Sequence, residues 1–96
     1  MTSKQRAYLR GLANKIDAIF QIGKNGINEN LIKQLDDALE AREIIKITVL
    51  ETAPDTGREA AEEISQKINA EVVQVVGNKI TLFRQRKEKS KIELPE

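Results

Sequence analysis

The chain has no cysteine and no histidine among its 96 residues. Without cysteine there can be no disulfide, no zinc–thiolate site and no thiol nucleophile. Without histidine, the usual general base near neutral pH and the commonest metal ligand are both missing. Tryptophan is absent as well, and Tyr8, Phe20 and Phe83 are the only aromatic residues. No apolar run approaches the ~20 residues of a membrane span. The opening stretch "MTSKQRAYLRGL" lacks the apolar segment of a secretory signal. These absences lead us to expect a cytoplasmic protein that is not an enzyme, with no metal, no cofactor and no membrane association.

What is present is charge. The composition is 40% hydrophobic and 32% charged, typical of a globular chain. A single domain of this length buries only roughly 60–65% of its unfolded surface, enough for one modest core and no deep interdomain cleft. The net charge of +1 conceals segregation. Residues 1–27 carry five basic side chains against Asp17, for a net +4. Residues 28–78 carry five basic and eleven acidic side chains, for −6, and residues 79–91 carry six basic against Glu88, for +5. If folding brings the two positive segments together, they form the electrostatic footprint of a nucleic-acid binder. Random clustering on a solvated surface would read the same way.

Apolar spacing predicts the elements. Leu9, Leu12, Ala13 and Ile16 form one stripe of a helix over residues 3–16, with Thr2 and Gln5 as a capping box. "AIFQI" at 18–22 reads as a short strand, followed by a helix over about 29–41 capped by Asn28. "IIKITVL" at 44–50 is a β-branched strand, and Thr56 with Glu59 caps a helix over about 57–69. "EVVQVV" (71–76) and "KITLF" (79–83) form a hairpin through Gly77-Asn78, which suits a II′ turn. Helical crossovers make the first three strands parallel and the hairpin makes the fourth antiparallel. The strands alternate apolar and polar residues, so the expected fold is a two-layer α/β domain with helices on one face of a four-stranded mixed sheet and a more polar face left open. Residues 1–84 constitute this domain. Residues 85–96, "QRKEKSKIELPE", lack periodicity and read as a charged flexible tail.

The segment "QIGKNGI" poses the sharpest question. Gly23-Lys24-Asn25-Gly26 sits at a strand-to-helix junction, where backbone amides converge and an anion fits. Glycines let a phosphate approach the backbone closely, Lys24 supplies a charge and Asn25 an amide donor. GxxG is also the loop with which KH domains clamp a nucleic-acid backbone. A plain turn needing two glycines for positive φ would look identical. The loop is neither a P-loop nor a dinucleotide fingerprint, so small-molecule substrates are not expected.

Four blocks in order carry a resemblance: "TSKQRAYLRGLA", "QIGKNGI", "AREIIKITVL" and "VVQVVGNKITLFR", covering residues 2–84. They resemble the CRM domain, the chloroplast RNA splicing and ribosome maturation family, and in particular its stand-alone bacterial YhbY-type RNA-binding members. The sequence departs from that pattern at Asn78, where a basic residue is common nearby, and at Phe83, where a tyrosine is common. The resemblance implies an N-terminal helix followed by β-α-β-α-β-β, like the C-terminal domain of translation initiation factor three. It also implies RNA binding through Gly23, Lys24, Asn25 and Gly26, and association with ribosomal RNA in precursors of the large ribosomal subunit. Lys4, Arg6, Arg10, Lys15 and Arg84 are then expected to complete one basic surface on a monomer. Two rival classes remain: a protein-interaction module docking through the open sheet face or an edge strand, and a magnesium-dependent hydrolase or nuclease.

Overall fold

The computed structural model describes residues 1–96. The elements appear in the expected order: α1 (Ser3–Ala13), β1 (Phe20–Ile22), α2 (Glu29–Arg42), β2 (Ile44–Val49), α3 (Gly57–Ile68), β3 (Glu71–Val76) and β4 (Lys79–Phe83). Both capping boxes form, Thr2 with Gln5 and Thr56 with Glu59, and Asn28 accepts from the Leu31 amide. α1 ends three residues before its apolar stripe does. Lys15 and Ile16 close tightened i→i+3 turns instead, and the Lys46 ammonium donates to the carbonyls of Ala13 and Ile16 at 3.1 and 3.3 Å. A cation on the last carbonyls is favourable there, because the helix dipole is negative at that end.

The sheet order is β1-β2-β4-β3. β1 pairs parallel with β2, and β4 lies antiparallel between β2 and β3. The first three strands therefore run the same way, as expected, with the fourth inserted between the second and third. In the hairpin turn Gly77 has φ +58° and Asn78 is not left-handed, as a II′ turn requires.

Alternation along the strands assigns the two faces. Ile45, Ile47, Val49, Ile80 and Leu82 meet α2 and α3 in the main core, with Leu35, Leu39, Ala60, Ile64 and Ile68. Ile44, Val73 and Phe83 point the other way and meet Leu9 and Ala13 of α1 in a smaller cluster. Here α1 adds to the two-layer reading: half of the sheet's second face is covered by this helix. Gln21, Thr48, Val76 and Lys79 occupy the uncovered half by register, and Val76 is 62% exposed.

The C-terminal segment departs from expectation. Residues 85–96 form no helix or strand, yet they do not hang free. Ile92 and Leu94 pack against the α1 cluster, and Gln5 donates to the Pro95 carbonyl at 3.0 Å. The anchor is Glu43, the residue that ends α2 with φ +69°. Its fully buried carboxylate accepts from the Arg86, Lys91 and Ile92 amides and from Ser90 Oγ at 2.5–3.1 Å. Sequence periodicity misses this docking because a carboxylate holding irregular backbone repeats at no fixed interval.

Candidate nucleic-acid interface

The GxxG segment connects the end of β1 to α2. Its chain reverses in a β-turn closed by the Gly26 amide on the Gly23 carbonyl at 2.9 Å. Neither Lys24 nor Asn25 is left-handed, so this is not a type II turn. The two glycines differ. Gly26 has φ +65°, and a Cβ there would lie 3.0 Å from Pro54 Cγ, so both conformation and packing favour glycine. Gly23 has ordinary φ, and a Cβ would meet Leu50 and Thr52 only at 3.8 Å. Nothing within the fold explains that glycine. The two-glycine turn is thus half the explanation of the motif, and the other half leaves room for a close approach from outside.

Around the loop lies an open hollow of about 470 Å³, formed by β1, α2 and the segment after β2. Lys24 is the one ion on its wall, which also presents the amide side chains of Gln21, Asn25, Asn28, Asn30 and Gln34 and the hydroxyl of Thr52. The backbone amides of Lys24 and Asn25 have no partner within the chain. Loop amides and α2's first turn together offer donors and a positive helix dipole to an anion.

The other cations nominated from sequence are dispersed. Arg6 turns inward: its guanidinium donates to the Val72 and Val73 carbonyls, covering the bulge of edge strand β3. Arg10, four residues on, lies on the same flank of α1 and is exposed. Lys4 is exposed on α1, and Lys15 borders a separate concavity with Arg42 and Asp17. Arg84 corrects the single-surface expectation. One residue past Phe83, it projects to the α2–α3 side of the sheet, opposite α1. There it donates to Asp36 Oδ1 at 2.6 Å, to the Ile68 carbonyl at 2.7 Å and to the Asp36 carbonyl at 3.0 Å. A β-strand turns successive side chains to opposite faces, so the two positive segments of sequence cannot merge through this residue. The sequence reading missed Gln21, Asn30, Gln34 and Thr52, because amides and hydroxyls leave no trace in a charge count. Lys79 was missed as well; it stands beside the loop end of the sheet and donates to Thr48 Oγ1 at 3.1 Å.

Two carboxylates, Glu43 and Glu59, are bound into the structure. Glu43 is pushed upward by burial, but the Ser90 hydroxyl and the Arg86, Lys91 and Ile92 amides outweigh that and hold its pKa below the ordinary value. The Thr56 amide and hydroxyl lower that of Glu59 likewise, within its capping box.

The fold is a small mixed α/β domain with a glycine-flanked turn at the head of a helix. The chain belongs to the CRS1/YhbY (CRM) domain family, whose pattern matches residues 1–84. It is 43% identical over 95 residues to "Probable RNA-binding protein YqeI" of Bacillus subtilis, covering 99% of each chain. It is 30% identical to an "RNA-binding protein" of Haemophilus influenzae, covering 99% of this chain and 95% of that one. The solution structure of hypothetical protein SAV1595 from Staphylococcus aureus is 55% identical, covers 99% of both chains and superposes with a TM-score of 0.82.

Proposed function

We propose that this protein binds RNA through the GxxG loop and serves on ribosomal RNA in precursors of the large ribosomal subunit. The observation that carries the loop's role is Gly23, a glycine that neither φ nor packing demands, beside two free backbone amides and Lys24. Family membership and the names of the relatives support RNA as the ligand. Lys24 and the loop amides contact phosphate, while Lys4 and Arg10 on α1 and Lys15 just after it add longer-range attraction. Such contacts position RNA without reading its sequence. Arg6 and Arg84 stand outside this interface, since their guanidinium groups already serve backbone carbonyls and Asp36.

Gly23→Asp places a carboxylate at the point of closest approach and leaves φ unstrained. The folded variant is expected to lose RNA affinity, and parental affinity would reduce the loop to a turn. Gly26 is a poor test, because any substitution there disturbs the fold first. For the ribosomal assignment, in-cell crosslinking with sequencing of the attached RNA should recover large-subunit ribosomal RNA. Reads spread over messenger RNA without that enrichment would overturn it.

A further inference from the structure

Four open concavities mark this surface, and three of them carry carboxylates. Glu29 and Asp36 line the groove between α2 and α3, Asp17 lies beneath the end of α1, and Glu40 and Glu88 flank the docked tail. The hollow beside the GxxG loop has none. The side chains of Gln21, Asn30 and Gln34 make no hydrogen bond within the chain. Leu31 and Leu50 supply the apolar part of the wall.

A carboxamide both donates and accepts, which is the complement of a nucleobase edge. A phosphate engages only the NH2 half of each amide, whereas a neutral heterocycle engages both donor and acceptor, so three amides are used more fully by a base edge than by a second anion. At about 470 Å³ the hollow has the size of a small-ligand site. Watson–Crick edges are occupied by pairing in an A-form duplex and are offered by unpaired nucleotides.

We propose that the hollow takes one unpaired nucleotide, its base edge read by Gln21, Asn30 and Gln34, with the adjoining phosphate on Lys24 and Gly23. This rests on the RNA-binding reading above and deepens it. The ligand becomes single-stranded RNA, in a loop, bulge or end, and the protein gains a preference among bases at one position. The chain has no tryptophan and its three aromatic residues lie outside the hollow, so discrimination comes from hydrogen bonding at the base edge.

The test measures binding of the full chain to rA, rC, rG and rU oligomers and to a duplex of equal length, across a salt series. The parent should favour single strands and rank the four oligomers unequally. The folded triple variant Gln21→Ala, Asn30→Ala, Gln34→Ala should lose about tenfold on the best oligomer, one good base contact, and bind all four alike. Its salt slope should stay parental, because amides release no counterions. Lys24→Ala should instead flatten the slope by about 0.7 on every oligomer. A triple variant that keeps parental affinity and ranking, while Lys24→Ala still flattens the slope, overturns the base site and leaves the loop's role standing. If Lys24→Ala and Gly23→Asp also bind as the parent does, the loop's role falls with it, and a parent that binds none of the oligomers nor the duplex overturns the RNA reading. The three amides are exposed, so folding should survive, and Gln34→Ala alone gives a milder check on the same ranking.

Discussion

The two ends of the sheet use polar groups in opposite ways. At the Glu43 end, the key polar groups are engaged within the fold: Glu43 holds the tail, and Arg84 ties α2 to the end of α3. At the loop end, Lys24, Asn25, Gln21 and Gln34 are exposed and unbonded within the chain. The Glu43 end also bears much of the positive charge of residues 84–91, which makes it the more conspicuous end in sequence. The contrast teaches that charge density and availability are separate properties. A guanidinium that already satisfies buried carbonyls must abandon them to reach a phosphate, and unpaired buried acceptors cost about 1–3 kcal/mol each.

The comparison breaks most visibly at Glu43. Glu43→Ala strands the amides of Arg86, Lys91 and Ile92, and is expected to cost about 2–4 kcal/mol by denaturant melting. Ending the chain at Gln85 should also destabilise it, and should remove most of the additional cost of Glu43→Ala, as a double-mutant cycle would record. Additive effects would mean that Glu43 stabilises something other than the tail. The acid limb follows from the same residue. Its pKa is lower folded than unfolded, so its contribution is complete above the ordinary value of 4.5 and fades as pH falls through the depressed folded value. Glu43→Gln should flatten that limb.

Next in size is Arg84→Ala, expected to cost about 2 kcal/mol through its charge-assisted hydrogen bonds. The side chain is only 22% exposed, and the salt slope of RNA binding should not change. A flattened slope would return Arg84 to the interface.

The glycine pair sharpens the contrast within one loop. Gly26→Ala should lose about 1 kcal/mol or more from its left-handed φ. Gly23→Ala should change stability by no more than about 0.5 kcal/mol while weakening RNA binding. Equal stability losses would show that both glycines serve the turn. The smallest expected effect on the fold is that of Lys24→Ala, which should leave the melting temperature unchanged and register only in the salt dependence of binding.

Much of this molecule was legible in one dimension. Capping boxes at Thr2 and Thr56, the Asn28 cap and the Gly77 turn are local hydrogen-bonding problems that a few adjacent residues solve, so their spacing reveals them. Strand alternation likewise identified Ile45, Ile47 and Val49 as one buried row. The GxxG loop was visible as a motif because its four residues are contiguous.

Other features were decided only when the chain closed on itself. The order β1-β2-β4-β3 places the last strand between two earlier ones, a pairing that hydrophobic period cannot rank. That placement turned Phe83 toward α1 and Arg84 toward Asp36, splitting the two basic segments that composition suggested were one surface. The docking of residues 85–96 depended on a buried carboxylate more than forty positions earlier. The amide hollow drew Gln21, Asn30 and Thr52 from three separate segments. Sequence determined what neighbours along the chain can satisfy among themselves. Tertiary structure decided which polar groups found distant partners and which were left facing water, because that depends on the directions in which side chains leave packed strands and helices.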